Sequence, residues 1–223
     1  MIVYIRKIIQ FLLFYPIWYF IWFILVGSDI LTNNLILLIL LLYFIISLGD
    51  IILRPLSETE ELKDKYTLII MLFFLSGPLI LLLAFYENKF IISEYIPLYN
   101  NVIVSIIGLI IMNLGAIIML SSRFQLNKYT YGGGSLSDNK EQNLVTFGMY
   151  KYIRHPLYLG GLILTIGLEL AFRSIIMLIS HTTIFFLIFR ARMIREEEVL
   201  GTKFGEEYAR YKRKTARLFP LLY

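Results

Sequence analysis

The sequence has 223 residues, of which 58% are hydrophobic and only 17% are charged, whereas soluble domains carry about 25% charged residues. The absence of cysteine excludes disulfides, thiolate catalysis and cysteine-ligated metals, and two histidines are too few for most metal sites. The net charge of +5 does not indicate nucleic acid, because the cations lie beside the apolar runs, as the positive-inside rule expects. These features predict an integral membrane protein.

Four apolar runs in the first half are each long enough for a bilayer crossing, which takes about 20 residues. Arg6 and Lys7 precede the first run, which is too long for the apolar part of a cleavable signal and lacks a small-residue cleavage site. Gly108 and Gly115 in the fourth run would permit close helix packing, and Arg123 is expected to end that run. The four predicted spans are Ile8–Val26, Leu35–Leu53, Thr67–Tyr86 and Val102–Ser122.

The second half opens with the longest polar stretch, Phe124–Phe147, which contains the loop-forming sequence Gly132–Ser135. Two shorter apolar runs follow, Leu157–Phe172 and Ser174–Phe189, and they meet at Arg173. Each run would make roughly 24 Å of helix, which is marginal for a full crossing. These runs predict a helical hairpin that spans or nearly spans the bilayer.

The region Arg190–Arg217 is charged and helix-prone, and its basic amphipathic part, Glu206–Lys214, is expected to dock on anionic lipid headgroups. Alternating sides puts both termini in the cytoplasm, because only Lys89 and Arg173 then lie outside. The predicted fold is all-α and polytopic, with five to six transmembrane helices, a C-terminal helical hairpin and a cytoplasmic amphipathic helix. Residues 1–122 would form the N-terminal membrane helices, and residues 123–223 the C-terminal core.

A cluster of aromatic and cationic residues stands where the polar loop becomes a membrane helix. Pro156 suits the first turn of a helix, where its missing N–H costs little, so His155 is predicted at or just before a helix start. Arg154, Tyr150 and Tyr158 surround it in sequence. A belt of interfacial residues without any catalytic role would have the same composition. This stretch alone leaves both interpretations open.

A second segment, Arg192–Leu200, has a helical pattern that continues the end of the hairpin. Arg192 and Glu196 are four residues apart, so they share a helix face. As a surface ion pair they would contribute only roughly a few tenths of a kcal/mol. Their face lies on the side predicted for His155, however, where a cation–carboxylate pair could bind a zwitterionic or anionic small molecule.

Five pieces of the second half stand in a fixed order. They are Leu144-Val145-Thr146-x-Gly148-x-Tyr150, Arg154-His155-Pro156-x-Tyr158-x-Gly160, Arg192-x-x-x-Glu196-Glu197-x-x-Leu200, Phe204-Gly205-Glu206-Glu207-Tyr208-x-x-Tyr211-Lys212 and Pro220. In order and spacing they resemble the isoprenylcysteine carboxyl methyltransferase family of integral membrane enzymes, over about residues 123–220. The broader group includes phospholipid N-methyltransferases and thiol S-methyltransferases, and membrane sterol reductases have a similar Arg-His-Pro-x-Tyr block.

The resemblance implies an S-adenosylmethionine-dependent methyltransferase with a lipophilic acceptor, such as the carboxylate of a C-terminal isoprenylcysteine. Arg192 would face the acceptor and could hold a carboxylate, which needs no general base. An amine acceptor would need one, and His155 or a glutamate would then be the candidate. The implied cofactor-binding residues are Gln142, Asn143, Leu144, Val145, Tyr150, His155, Pro156, Leu157, Tyr158 and Glu196.

Other functions fit the sequence less well. Phospholipid N-methyl or thiol S-methyl transfer is the alternative within the same group. A sterol reductase would need a basic pocket for a nucleotide 2′-phosphate, which the sequence does not indicate. A membrane scaffold or transporter is disfavoured, because transporters usually show repeats and helices broken at mid-membrane. The expected partners are the methyl acceptor and membrane lipids, without nucleic acid, a metal or an obligate protein partner.

The location expected for such a protein is the plasma membrane of a prokaryote or the endoplasmic reticulum of a eukaryote. Three polar residues lie within the apolar runs. Asp50 and Glu169 are functional suspects as intramembrane carboxylates, but both lie near span ends, where water is reachable. His181 lies mid-span, and an interhelical hydrogen bond is expected for it rather than catalysis.

Overall fold

The computed structural model describes residues 33–53, 77–97, 99–129 and 143–219. The predicted span Ile8–Val26, the first part of the span Thr67–Tyr86, the loop sequence Gly132–Ser135 and the candidate residue Gln142 lie outside these ranges. The structural statements that follow concern the described residues.

Six principal helices make up the described part of the chain, which is all-helical, as predicted. A π-helical turn, Asn88–Ile92, and a last turn, Ser93–Tyr95, extend the second helix beyond Tyr86, the predicted end of the third span. A short 3₁₀ turn, Gly148–Lys151, precedes the fourth. The helices are α1 (Asn34–Leu53), α2 (Gly77–Glu87), α3 (Val102–Tyr129), α4 (Pro156–Ala171), α5 (Ile175–Phe204) and α6 (Glu206–Lys214).

Helices α3 and α5 are long and apolar enough to cross a membrane, while α1 and α4 are shorter apolar helices. Only 28% and 17% of the most apolar windows of α3 and α5 are buried, unlike the core helices of a soluble protein. Large hydrophobic residues such as Ile103, Ile110 and Ile117 stand exposed along α3, where lipid would contact them. The count of five to six spans stays a prediction.

Helix α3 extends beyond the end predicted for it, since it was expected to end at Arg123 but continues to Tyr129. Helix α5 runs without a break past Arg190 to Phe204, as the helical pattern of Arg192–Leu200 predicted. Arg123 is buried and donates from Nε to Asp50 of α1 at 2.8 Å, so it does not mark an exit to water. Good helix formers such as glutamate, arginine and methionine carry α5 onward beyond the apolar run.

Four glycines place α3 and α4 in direct backbone contact. A Cβ atom would lie 2.2 Å from a backbone nitrogen of the other helix at Gly108, 2.3 Å at Gly115, 2.5 Å at Gly160 and 2.1 Å at Gly167. No side chain fits at such distances, so glycine alone permits this approach. The close packing expected from Gly108 and Gly115 is therefore confirmed.

The predicted hairpin is α4 and α5, which are linked through Arg173 in a left-handed conformation (φ 58°). His181 Nδ1 of α5 lies 2.7 Å from Glu169 Oε1 of α4, which is the interhelical hydrogen bond expected for His181. Glu87 accepts hydrogen bonds from the backbone N–H groups of Ile175 and Ile176, at 2.8 Å each, and thereby caps α5. A functional role for Asp50 or Glu169 stays a prediction.

Candidate functional site

His155 stands immediately before α4, whose first residue is Pro156. This is the position that the sequence predicted from the tolerance of proline in the first helical turn. The backbone N–H of His155 donates to the carbonyl of Arg217 at 3.1 Å, and that of Arg154 to Ala216 at 2.8 Å. A single parallel bridge between Ile153 and Ala216 thus fixes the loop before α4 against residues 215–217.

Glu196 lies in contact with three other predicted site residues, Tyr158, Arg192 and His155. Its Oε1 accepts a hydrogen bond from the Tyr158 hydroxyl and another from Arg192 Nε at 2.9 Å. Arg192 Nε also donates to the Tyr158 hydroxyl oxygen at 3.0 Å. His155 Nδ1 lies 3.6 Å from Glu196 Oε2. Both Tyr158 and Glu196 are buried, so this is not the surface ion pair that the i,i+4 spacing alone would allow.

Glu197, which the sequence analysis quoted as a motif residue but gave no role, collects a second set of contacts. Its Oε1 accepts from Arg154 Nε at 3.0 Å and lies 3.3 Å from His155 Nε2. Arg217 makes a bidentate contact with it, both nitrogen–oxygen distances being 2.9 Å. Lys212 Nζ lies 3.3 Å from its Oε2. The two adjacent glutamates therefore hold opposite sides of the His155 ring.

The two carboxylates determine the charge of His155. Burial disfavours the protonated ring, but the hydrogen bond to Glu197 and the negative charges of Glu196 and Glu197 outweigh this, so the pKa of His155 is raised. His155 therefore keeps its proton at pH values where a free histidine begins to lose it. Burial also raises the pKa of Tyr150, which remains a neutral phenol.

A row of aromatic rings extends from this cluster into the hairpin. The ring centroids of His155 and Tyr158 are 5.7 Å apart, and those of Tyr158 and Phe189 are 5.0 Å apart. Phe185 stacks on Phe189 at 4.2 Å. Leu157 packs against the same group. Aromatic faces of this kind attract cations.

The remaining predicted residues lie in the preceding loop. Val145 and Tyr150 are buried in a small cluster with Leu126, which belongs to the unexpected extension of α3. The carbonyl of Tyr150 accepts from the Tyr211 hydroxyl of α6 at 2.8 Å. Leu144 is half-buried and Asn143 is exposed. Glu197 and Arg217 were not predicted as site residues. The signal for Glu197 was its place beside Glu196 in the motif, and the signal for Arg217 was only the excess of charge in the region Arg190–Arg217.

The groups of the cluster that make no hydrogen bond to another described residue suit a small molecule with both positive and negative groups. Within the described ranges, Glu196 Oε2 has only His155 Nδ1 nearby, at a distance too long for a hydrogen bond. Among the described residues, Arg192 makes its hydrogen bonds through Nε alone. In this part of the chain, a carboxylate oxygen and a guanidinium edge thus have no hydrogen-bond partner. No group of three or more acidic or histidine residues able to hold a metal occurs in the described part of the chain.

Comparison with known proteins points in the same direction. The phospholipid methyltransferase family model matches residues 103–207. The chain is 32% identical over 84 residues to a protein-S-isoprenylcysteine O-methyltransferase of Schizosaccharomyces pombe, which is 38% of this chain and 36% of that protein. It is 28% identical over 131 residues to a methanethiol S-methyltransferase of Crocosphaera subtropica, covering 56% of this chain and 50% of that one. The chain thus matches half or less of either relative's length.

The fold is similar to that of a solved eukaryotic intramembrane Ras methyltransferase, isoprenylcysteine carboxyl methyltransferase. The TM-score is 0.57 at 18% identity, and the match covers 97% of this chain and 86% of the other. The family model and the sequence relatives, together with this similarity of fold, confirm the resemblance to the isoprenylcysteine carboxyl methyltransferase family that the motifs around His155 and Glu196 predicted.

Proposed function

We propose that this chain is a membrane-embedded, S-adenosylmethionine-dependent methyltransferase that methylates the carboxylate of a lipophilic acceptor, such as a C-terminal isoprenylcysteine. The observation that carries this proposal is the convergence of His155, Tyr158 and Arg192 on the buried Glu196. The chain's similarity to membrane methyltransferases gives this cluster its chemical context.

The cofactor side of the site would be formed by Glu196 and the rings around it. S-adenosylmethionine supplies a methyl group from its sulfonium centre when bound. Glu196 Oε2 has capacity to accept hydrogen bonds from amino or hydroxyl groups, and the faces of Tyr158 and His155 favour a neighbouring cation. The flanking residues proposed to line this site are Gln142, Asn143, Leu144, Val145, Tyr150, Pro156 and Leu157.

The acceptor side would be formed by Arg192. Its guanidinium is held at Nε by Glu196 and Tyr158, which leaves its outer edge for a bidentate contact with a carboxylate. The ion-pair cluster also carries more positive than negative charge, since Arg154, Lys212 and Arg217 share one partner, Glu197. Methyl transfer is an in-line displacement, so holding the acceptor in line is the main work of these side chains.

We also propose the arrangement in the membrane. Residues 1–122 would supply N-terminal spans and residues 123–223 the methyltransferase core, in a multi-pass protein of five to six spans with both termini in the cytoplasm. The exposed apolar faces of α3 and α5 support contact with lipid. The cofactor would then reach the cluster from the cytoplasm, and the acceptor would reach it from the bilayer.

Calorimetric titration with S-adenosylmethionine tests the cofactor site. We expect Tyr158→Phe, His155→Ala and Glu196→Gln each to weaken binding by roughly tenfold or more, because each removes a charge-assisted hydrogen bond of the cluster or the charge that strengthens it. Tyr152→Phe and Glu198→Gln are the matched controls, since both side chains are exposed, and they should bind like the native protein. Unchanged binding in all three site variants would show that the assignment is wrong.

The acceptor is identified by following a radiolabelled methyl group in membranes that contain the protein. We expect the label in a base-labile ester when a farnesylated cysteine analogue is added, and Arg192→Ala should raise the KM for that analogue. Label in the phospholipid extract or in a volatile thioether would instead favour the N-methyl or S-methyl alternative. Absence of label from all three fractions, despite cofactor binding, would overturn the proposed reaction.

A further inference from the structure

Glu197 follows Glu196 directly but faces a different part of the protein, because successive helical residues point about 100° apart. Its side chain is only 4% exposed, which is unusual for a glutamate unless it is fully paired. Its partners come from three separate segments: Arg154 before α4, Lys212 in α6 and Arg217 beyond it. One carboxylate thus joins parts of the chain that are far apart in sequence.

The backbone repeats the connection that Glu197 makes through side chains. Ala216 donates its N–H to the Tyr152 carbonyl at 3.0 Å, and Arg154 donates back to Ala216 at 2.8 Å. Arg154 Nη1 also donates to the carbonyls of Lys212, at 3.0 Å, and Thr215. Residues 215–217 therefore lie alongside the loop that ends in His155 and are hydrogen-bonded to it.

His155 is the residue on which these connections act. Its backbone N–H is bonded to Arg217, and its Nε2 lies 3.3 Å from Glu197. If residues 215–217 separated from the loop, His155 would lose its backbone hydrogen bond to Arg217. Glu197 would at the same time lose the bidentate contact with Arg217 that helps to orient its carboxylate toward the ring.

We propose that Glu197 is a positioning residue, which clamps residues 215–217 against the loop before α4 and thereby fixes the orientation and charge of His155. The proposal deepens the proposed function and rests on it for the role of His155. Glu197 need not touch cofactor or acceptor in order to act. Its effect reaches the site through His155 and through the order of the C-terminal segment.

Several charged and titratable groups surround His155, and the clamp must be separated from their influence. Glu196 and Glu197 face it from α5, and its neighbour Tyr158 is acted on by Arg192 of α5 and Arg123 of α3. The charged and titratable groups around Glu197 are Arg154, Tyr208, Tyr211, Lys212 and Arg217. A variant that changes only Glu197, compared with one that changes an adjacent exposed glutamate, isolates its contribution.

The first measurement is hydrogen–deuterium exchange at the histidine C2 position, followed by mass spectrometry of the full chain in detergent without cofactor. The chain has only two histidines, so His181 serves as the reference within the same molecule. We expect Glu197→Gln to lower the pKa of His155, because one of the two carboxylates beside the His155 ring is neutralised. The rate of C2 exchange at His181 should not change. Glu198→Gln, which removes an exposed charge from the same helix, should leave the C2 exchange rates of both histidines unchanged.

The second measurement is backbone amide exchange at Arg154, His155 and Ala216, whose N–H groups form the bridge. We expect Glu197→Gln to accelerate it by about tenfold or more, because the clamp loses charge-assisted hydrogen bonds. Amides in α3 should be unaffected, which separates local opening from global unfolding. Arg217→Gln, at a partly exposed residue that the fold tolerates more easily, should act in the same direction if Glu197→Gln does not fold.

Cofactor titration of the same variants connects the clamp to function. We expect Glu197→Gln to weaken S-adenosylmethionine binding by about tenfold, and Glu198→Gln to have no effect. If the native protein binds no cofactor, the proposed function fails, while the two exchange measurements still decide whether the clamp exists. If the native protein binds cofactor but Glu197→Gln leaves the His155 pKa and the bridge amides as they were, the clamp alone is refuted.

Discussion

Replacing Gly167 by alanine tests the contact between α3 and α4, on which the position of the whole site depends. The new Cβ would lie 2.1 Å from the backbone nitrogen of Met112 and 2.7 Å from the carbonyl oxygen of Gly108. Both are backbone atoms, so no side-chain rotation can relieve the overlap. Ordinary contact begins near 3.5 Å, so the two helices would have to separate by roughly 1 Å.

The expected loss follows from two opposing effects. Overpacking against a rigid neighbour costs up to about 3 kcal/mol, and alanine regains about 1 kcal/mol of helix propensity relative to glycine. Gly167→Ala should therefore destabilise the protein by about 2 kcal/mol. Gly201→Ala is the matched control within a helix, since its Cβ would meet only a Tyr208 ring carbon at 3.9 Å. That control should stabilise the protein by about 1 kcal/mol.

Unfolding in mixed micelles of increasing denaturing-detergent content measures both variants against the native protein. The two substitutions add the same methyl group, so a general effect of alanine cannot explain opposite signs. A Gly167→Ala protein as stable as the Gly201→Ala protein would refute the backbone contact between α3 and α4.

Two other expectations concern the ends of α5 and α4. Glu87→Ala should destabilise the protein by about 2 kcal/mol in the same unfolding assay, because the first N–H groups of α5 lose their acceptor; the exposed Glu94→Ala serves as control, and equal stability of the two would argue against the cap. Because the pKa of His155 is raised on folding, its contribution to stability is complete below about pH 6.5 and is lost as the pH rises through the folded value. The free energy of unfolding should therefore fall as the pH rises above about 6.5, and His155→Gln should flatten that fall; an identical slope in the variant would contradict it.

Local patterns predicted those parts of the site that lie within one helix turn. The four-residue spacing of Arg192 and Glu196 placed them on one face, and Pro156 marked the start of α4, which fixed His155 just before it. The glycines of α3 indicated a close helix contact without identifying the partner helix. Each of these inferences needed only neighbouring residues and the geometry of a helix.

The second half of the cluster could not be predicted in this way. Glu197 is distinguished from Glu196 and Glu198 only by the direction in which it points, and its partners Arg154 and Arg217 lie 43 and 20 residues away. A cation at the end of an apolar run predicts an exit to water, and for this reason the predicted end of α3 was wrong. Arg123 instead finds Asp50 inside the protein, 73 residues away.

The unbroken length of α5 has a mechanical consequence. The helix has 30 residues and measures about 45 Å. Glu87 caps its first turn, and Glu196 and Glu197 lie in its second half. A rod pivoting at its capped end by about 5° would swing those carboxylates by roughly 2–3 Å. A lateral force on α5 from lipid or from a neighbouring helix that tilted the helix about its capped end would thus move Glu196 and Glu197 relative to His155.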